Sequence, residues 1–354
     1  MRDGRALSKN GHMLIIDGST NEGGGQILRT SLALSSLTGS SFRLVRIRAN
    51  RKPPGLKPQH LAAIHLAAKT CRAEVAGDFP GSSEITFIPG QLTPGKYHVE
   101  VGTAGSVTLV LQTVAVPLGL QNKSSQLTIL GGTHVPASPS YHFLEYIWSP
   151  MLAQLGFRMR LELRQAGFYP AGGGEIRALI SSPKNLNPVN LMERGNLVRI
   201  RGVAAVSNLD QNIATRIKHR ALSKLEIILR DTKISTQELP SPNPGAFLFL
   251  MAEFENSRFG YSSLGAKGKR AEIVADEAVD KLLLTIDQEG AIDQHLADQI
   301  LLPLACLKQP SKFTTVKITT HLQTNATIIE QFLPVTIKIY KMVGESGLIE
   351  LVPK

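Results

Sequence analysis

The sequence predicts an α/β chain of the α+β type: a larger domain of three repeated βαβαββ-like units, with a smaller α/β domain inserted between the second and third. Three observations predict it. Apolar residues recur at helical spacing in some runs and alternate in others. The order of those runs repeats along the chain. A differently patterned stretch, punctuated by PSPNPG at 240–245 and LGAKGK at 264–269, then interrupts the repetition. Residues 1–187 and 288–354 are assigned to the larger domain and 188–287 to the insertion.

Residues 1–12 are polar and unpatterned and are read as a loose leader. Met13 to Asp17 is a short apolar strand, residues 21–25 (NEGGG) are a loop, and Gln26 to Leu37 is helical until Gly39 stops it. Phe42 to Ile47 alternates as a strand, Gln59 to Lys69 is a helix, and Ile85 to Ile88 returns as a strand. The second unit runs through strand Tyr97 to Val101, helix Val107 to Leu118, strand Gln126 to Leu130, helix Tyr141 to Leu155, and strands Arg158 to Arg164 and Glu175 to Ile180. In the insertion, Leu197 to Val206 is a strand and Asn212 to Leu229 a basic amphipathic helix. Residues 232–239 and 246–255 follow as strands, and Glu272 to Leu284 as a helix. The third unit has a β-like run from Phe313 to Thr320, a helix-like run from Ala326 to Leu333, and strands Val335 to Tyr340 and Leu348 to Leu351. Its stretch ITTHLQTNATIIEQFL takes the slot that DGSTNEGGGQILR and VGTAGSVTLVLQ hold in the first two units, so three strand-to-helix junctions are expected to face a shared cleft.

A chain of 354 residues exceeds one ordinary core, and 42% hydrophobic residues suffice to fill two or three. Thirty-nine Lys and Arg against 28 Asp and Glu give a net charge of +11, which favours a polyanionic partner, nucleic acid first among them. Cys71 and Cys306 have no CxxC or Cys/His spacing, so neither a disulfide framework nor a zinc site is expected. No run reaches the roughly eighteen apolar residues of a membrane helix, so no membrane partner is expected. A reducing compartment is expected: the cytoplasm, or the nucleus in a eukaryote.

His321 is the candidate nucleophile. Placed at a strand end it can be aimed into a cleft, and an imidazole is partly neutral near pH 7; the alternative is a loop hydrogen bond. Glycines in Glu22-Gly23-Gly24-Gly25-Gln26 let backbone approach a phosphate at a helix start, and Glu22 is a candidate ligand for a divalent cation; a simple tight turn reads equally well, and no P-loop Gly-Lys-Ser/Thr follows. Arg29, Arg48 and Arg51 offer guanidinium forks to terminal phosphates, or else face solvent. The basic run Lys52 to His60 is a stiff surface loop suited to phosphate contact. Gly131-Gly132-Thr133-His134 and residues 167–174 (GFYPAGGG) follow strands, where clefts form and plain turns also occur. His295-Leu296-Ala297-Asp298-Gln299 opens an apolar helix in which Asp298 orients a histidine, holds a metal, or only offsets the helix dipole.

Taken in order, EGGGQILR (22–29), IRANRKPPGLKPQH (47–60), GTAGSVTLVLQT (102–113), GGTHVPASPS (131–140), GFYPAGGGE (167–175), ERGN (193–196), HLADQ (295–299) and THLQTN (320–325) resemble the RNA 3'-terminal phosphate cyclase family across nearly the whole chain. The resemblance implies the two-domain organisation above and an ATP-dependent reaction with Mg²⁺ or Mn²⁺. A histidine takes AMP from ATP, AMP passes to an RNA 3'-phosphate, and the 2'-hydroxyl displaces it to leave a 2',3'-cyclic phosphate. By similarity, His321 matches the adenylylated histidine and Glu22 an acid associated with metal and triphosphate. Gln112, His295, Leu296, Ala297, Asp298 and Gln299 match nucleotide-binding positions, and Arg29, Arg48, Arg51 and Gln59 match phosphate contacts. One departure is Val135, where family members often carry Asn before a proline, so a polar contact near the base is in doubt.

Two other readings stand beside this one. A cyclase-like protein of ribosome assembly shares the resemblance but lacks the reactive histidine. A carboxyvinyl transferase uses similar repeated units but forms no covalent nucleotide.

Overall fold

The computed structural model describes residues 13–21, 23–183, 185–228 and 230–354. The expected leader, residues 1–12, and Glu22 lie outside the described residues. The first part of the chain runs β1 (Leu14–Asp17), α1 (Gln26–Thr38), β2 (Phe42–Val45), α2 (Pro58–Cys71), β3 (Glu74–Ala76) and β4 (Ile85–Ile88). Burial of Ile27, Leu28, Leu32 and Leu34 holds α1 on its sheet. Gly39, at φ 76°, ends it in the left-handed region with its N–H on the Ser35 carbonyl.

The second part runs β5 (Lys96–Glu100), α3 (Val107–Gly119), β6 (Ser125–Gly131), α4 (Tyr141–Phe143), a π-helical turn (Leu144–Trp148), α5 (Ser149–Gln154), β7 (Arg158–Gln165) and β8 (Gly174–Ser181). One helix was expected over Tyr141 to Leu155; a widened turn interrupts it just ahead of Pro150. Proline cannot donate to the carbonyl four residues back and crowds it in a regular helix. Along β7, exposed Arg158, Arg160, Glu162 and Arg164 alternate with half-buried Met159, Leu161 and Leu163, so one face of the sheet is solvated.

After β9 (Asn190–Leu191) come β10 (Leu197–Ser207), α6 (Gln211–Leu225), β11 (Thr232–Glu238), β12 (Gly245–Phe254), β13 (Arg258–Leu264) and α7 (Ala271–Ile286). This sheet, ordered β11-β10-β12-β13, is covered on one face by α6 and α7. Ile200, Ala204, Leu248 and Leu250 point into that core with Ile217, Leu225, Val274 and Leu282. Val203, Ala205, Phe247, Phe249 and Met251 on the alternate face join the main core instead. Burial on both faces explains the near-continuous apolar run of β12.

The chain closes with α8 (Gln294–Ala305), β14 (Ser311–Thr315), α9 (Thr320–Phe332), β15 (Val335–Tyr340) and β16 (Gly347–Pro353). Three sheets then share one plan: β1-β2-β4-β3, β5-β6-β8-β7 and β9-β14-β16-β15, the first pair parallel and the other two pairings antiparallel. This topology corrects one expectation. The helix of His321 lies between the second and third strands of its sheet, where α2 lies in the first, and α8 occupies the slot of α1 and α3. Strand β9 has two residues, too few to register as a strand in the sequence, so the start of the third sheet was hidden. It also falls inside the stretch expected to be inserted, yet pairs with β14. Helix α1 packs against α2, α3 and α9, and α8 against α9. Among the described residues no helix is long and apolar enough to cross a membrane.

Candidate active site

His321 sits in the first turn of a helix, not at a strand end. Strand β14 stops at Thr315, and Thr319 caps α9 by accepting the Leu322 N–H on its hydroxyl at 2.9 Å. Its ring faces the start of α1, where Gln26 Oε1 accepts a hydrogen bond from Nδ1–H. The proton is thereby placed on Nδ1, which leaves the lone pair on Nε2. Gln26 Nε2 makes a longer contact, 3.5 Å, to the His321 carbonyl. The amino ends of α1 and α9 therefore meet at this ring, and their dipoles favour an anion there.

A network of polar side chains fixes that meeting. Thr30 Oγ1 donates to Asn325 Oδ1 at 2.7 Å, and Asn325 Nδ2 donates to the Asp298 carbonyl at 2.9 Å. Asp298 Oδ1 accepts the Thr319 hydroxyl at 2.6 Å, so this carboxylate holds the cap of the helix that carries His321.

The residues expected to contact nucleotide lie along α8 and α3. Asp293 caps α8: it is fully buried, and its Oδ1 accepts the N–H groups of His295 at 2.8 Å and Leu296 at 3.0 Å. Burial pushes its carboxyl up to about 7. His295, in the first turn, keeps an exposed side chain, yet the crowding of surrounding atoms, then the positive field of Lys281, hold its imidazole down at about 4. Its ring meets Tyr261 edge-on at 5.9 Å. The side chains of Leu296 and Ala297 are buried in the core. Gln112 Nε2 donates to Gln299 Oε1 at 2.6 Å, joining α3 to α8.

The basic residues gather beside the start of α1. Arg29 lies one turn into α1, next to Gly25 and His60, and Arg48 is close enough to Arg51 for repulsion to add to burial in lowering its pKa. Arg48 holds φ 54°, a left-handed value costly for a side-chain-bearing residue. Its Nη1 donates to the Pro53 and Gly55 carbonyls, each at 3.0 Å, and so braces the loop. Gln59 Oε1 accepts the N–H of Ser106, the cap of α3, at 2.7 Å. Gly23, at φ +59°, has Asn50 so close that a Cβ would lie 2.6 Å from it.

Sequence reasoning singled out neither Gln26 nor Thr319 for a role, although both stand in the quoted motifs. A threonine immediately before a helical run was the available signal for the cap. The other two glycine-rich runs pack on each other: Thr133 N–H donates to the Gly167 carbonyl and Gly167 N–H to Thr133 Oγ1, both at 2.9 Å. Beside them His134 and His142 are buried and bonded at 2.9 Å, His134 stacked on Phe247 and His142 tilted against it, and burial keeps both neutral. Val135 is buried as well. On α6, Arg216, Arg220 and Lys224 pair with Glu272, Asp276 and Asp280 of α7, which makes the basic helix a solvated, neutralised face. Among the described residues no group of three or more His, Cys, Asp or Glu is placed to hold a metal ion.

Comparison with known proteins adds to this geometry. A family model described as RNA 3'-terminal phosphate cyclase matches residues 20–339. The chain is 42% identical over 327 residues to an RNA 3'-terminal phosphate cyclase of Nostoc punctiforme, covering 90% of this chain and 94% of the relative. It is 43% identical over 333 residues to one from Sulfurisphaera tokodaii, covering 92% and 96%. A third, from Methanopyrus kandleri, is 40% identical over 352 residues, covering 97% and 99%.

Proposed function

Since the chain belongs to the RNA 3'-terminal phosphate cyclase family, a family of ligase-type enzymes, we propose that it uses ATP to convert an RNA 3'-terminal phosphate to a 2',3'-cyclic phosphodiester through a histidine–AMP intermediate at His321. The observation that carries this reading is the Gln26–His321 hydrogen bond, which gives the ring a lone pair at Nε2 where two helix amino ends converge. Nε2 attacks the α-phosphorus of ATP, a P–N bond forms, and the bond to pyrophosphate breaks. An oxygen of the RNA 3'-phosphate then attacks the same phosphorus and the P–N bond breaks. Finally the 2'-hydroxyl oxygen attacks the 3'-phosphorus and AMP leaves. A phosphate monoester has no good leaving group of its own, and AMP supplies one to a hydroxyl already within reach.

Basic and amide donors near the ring suit phosphate oxygens. A divalent cation would take its oxygens largely from the triphosphate, with Glu22 as the protein carboxylate, and would neutralise developing charge. Arg29, Arg48, Arg51 and Gln59 are read as the phosphate side of the site, and Gln112 with residues 295–299 as the adenosine side. The three like-ordered sheets are read as copies of one repeated unit, with residues 188–287, apart from the strand at Asn190–Leu191, as an inserted domain.

The test is to incubate the protein with ATP, a divalent cation and an RNA bearing a labelled 3'-phosphate, then treat with phosphatase. Label that becomes phosphatase-resistant only when ATP is present supports the reading; label that phosphatase still removes contradicts it.

A further inference from the structure

His60 is a buried group that the reaction above does not use. It is 7% exposed, at the third position of α2, and its Nδ1 accepts the N–H of Lys57, the residue that caps that helix, at 3.0 Å. Nδ1 is therefore an acceptor, and the ring's single proton resides on Nε2. That edge of the ring is pressed onto the loop that leads into α1: a Cβ at Gly25 would lie 2.3 Å from His60 Nε2 and 3.2 Å from Arg29 Nη1. Gly25 immediately precedes Gln26, the partner of His321. Burial first, then the positive fields of Arg29, Arg48 and Lys57, hold the imidazole down at about 3, so it is neutral at working pH. Among the described residues no hydrogen bond from Nε2–H to a protein acceptor is found. The Nε2 atom is not among the fully enclosed polar atoms left without a partner, so it remains open to a ligand.

We infer that His60 Nε2–H is a neutral hydrogen-bond donor to an oxygen of a phosphate bound beside Arg29 and Arg48, one residue from the nucleophile's partner. The donor adds geometric selectivity for a tetrahedral oxyanion without adding charge to an already cationic cluster. The inference rests on the proposed reaction. The phosphate is either the terminal group of the RNA or part of the ATP triphosphate, and the measurements separate the two.

Two substitutions divide the ring's functions between them. His60→Gln keeps an N–H near the position of Nε2 and gives up the acceptor for Lys57. His60→Asn keeps an acceptor near the position of Nδ1 and gives up the donor. Self-adenylylation gives a KM for ATP, and transfer from preformed enzyme–AMP to a 3'-phosphorylated oligonucleotide gives a KM for RNA. The expected result is that Asn raises one of these by roughly 10- to 100-fold, the loss of a hydrogen bond to a charged group, while Gln changes it less than threefold. A rise for the oligonucleotide alone assigns the RNA phosphate; a rise for ATP alone assigns the triphosphate. If Asn matches the parent while Gln is impaired, the ring is only a helix cap and the inference fails. If both variants keep parental melting temperatures and both KM values, it fails as well. A parent enzyme that takes no label from ATP would instead sink the proposed reaction, a result these variants cannot mimic.

Discussion

Gln26 and His321, 295 residues apart in the chain, are joined side chain to side chain, the amide oxygen of one accepting the Nδ1 proton of the other. The bond sets both the tautomer and the direction of the ring. Gln26→Ala is expected to slow self-adenylylation by about 10- to 100-fold, the usual cost of a loosened attack geometry. Gln26→Glu, which keeps an acceptor, is expected to lose less. Incorporation of label from α-labelled ATP measures both; an alanine variant labelled at the parental rate would remove Gln26 from the account.

Thr319 ties the same ring to Asp298, because its one hydroxyl caps α9 and donates to the carboxylate. Thr319→Val deletes both bonds and is expected to cost about 1–2 kcal/mol, as loss of a helix cap does, in urea unfolding. Thr319→Ser should recover most of it. Equal midpoints for valine and parent would show that the cap is not holding the helix.

Arg48 braces its own loop while standing beside Arg29 and His60. If Arg48 holds the RNA phosphate, as proposed, Arg48→Ala is expected to impair cyclisation more than self-adenylylation. Single-turnover rates of the two steps decide it, and equal loss in both would assign Arg48 to ATP.

Stability is expected to fall on the acid side. His60 and His142 are buried neutral, held at about 3 and about 4 against an ordinary 6.5. Below pH 6.5 the unfolded chain binds protons that the folded chain refuses. The stability is fully present above that pH and is lost as pH falls toward the folded values, at up to about 1.4 kcal/mol per group per pH unit. Asp293 works in the opposite sense. Its folded value near 7 exceeds the ordinary 3.8, so its contribution is present below 3.8 and is lost as pH rises through 7. Urea midpoints should therefore drop from pH 6.5 to 5, His142→Asn should flatten that drop, and Asp293→Asn should gain on the parent above pH 7. A midpoint that rises between pH 6.5 and 5 would contradict the histidine assignment.

Periodicity made most elements legible, because alternation and helical spacing are local properties: α1, α3, β4 and β15 lie within a residue or two of where the pattern places them. What failed was non-local. A two-residue β9 carries no pattern, so the third sheet was misaligned by one helix slot, and the β-like run into Thr320 concealed a capped helix start. Among site residues, charged and nucleophilic types stood out in the motifs. Gln26 did not, since an uncharged amide takes on a role only through a partner the fold delivers. His60 stood out as part of a basic loop, yet its burial and the use of its Nδ1 follow from the packing of α2 against the start of α1.

The central claim is that one imidazole, at His321, forms a covalent bond with adenylate. Purified protein given α-labelled ATP and Mg²⁺ or Mn²⁺, then denatured, should retain label that acid releases and alkali does not, as a phosphoramidate requires. His321→Ala should retain none. A His321→Ala protein that labels as well as the parent would contradict the account.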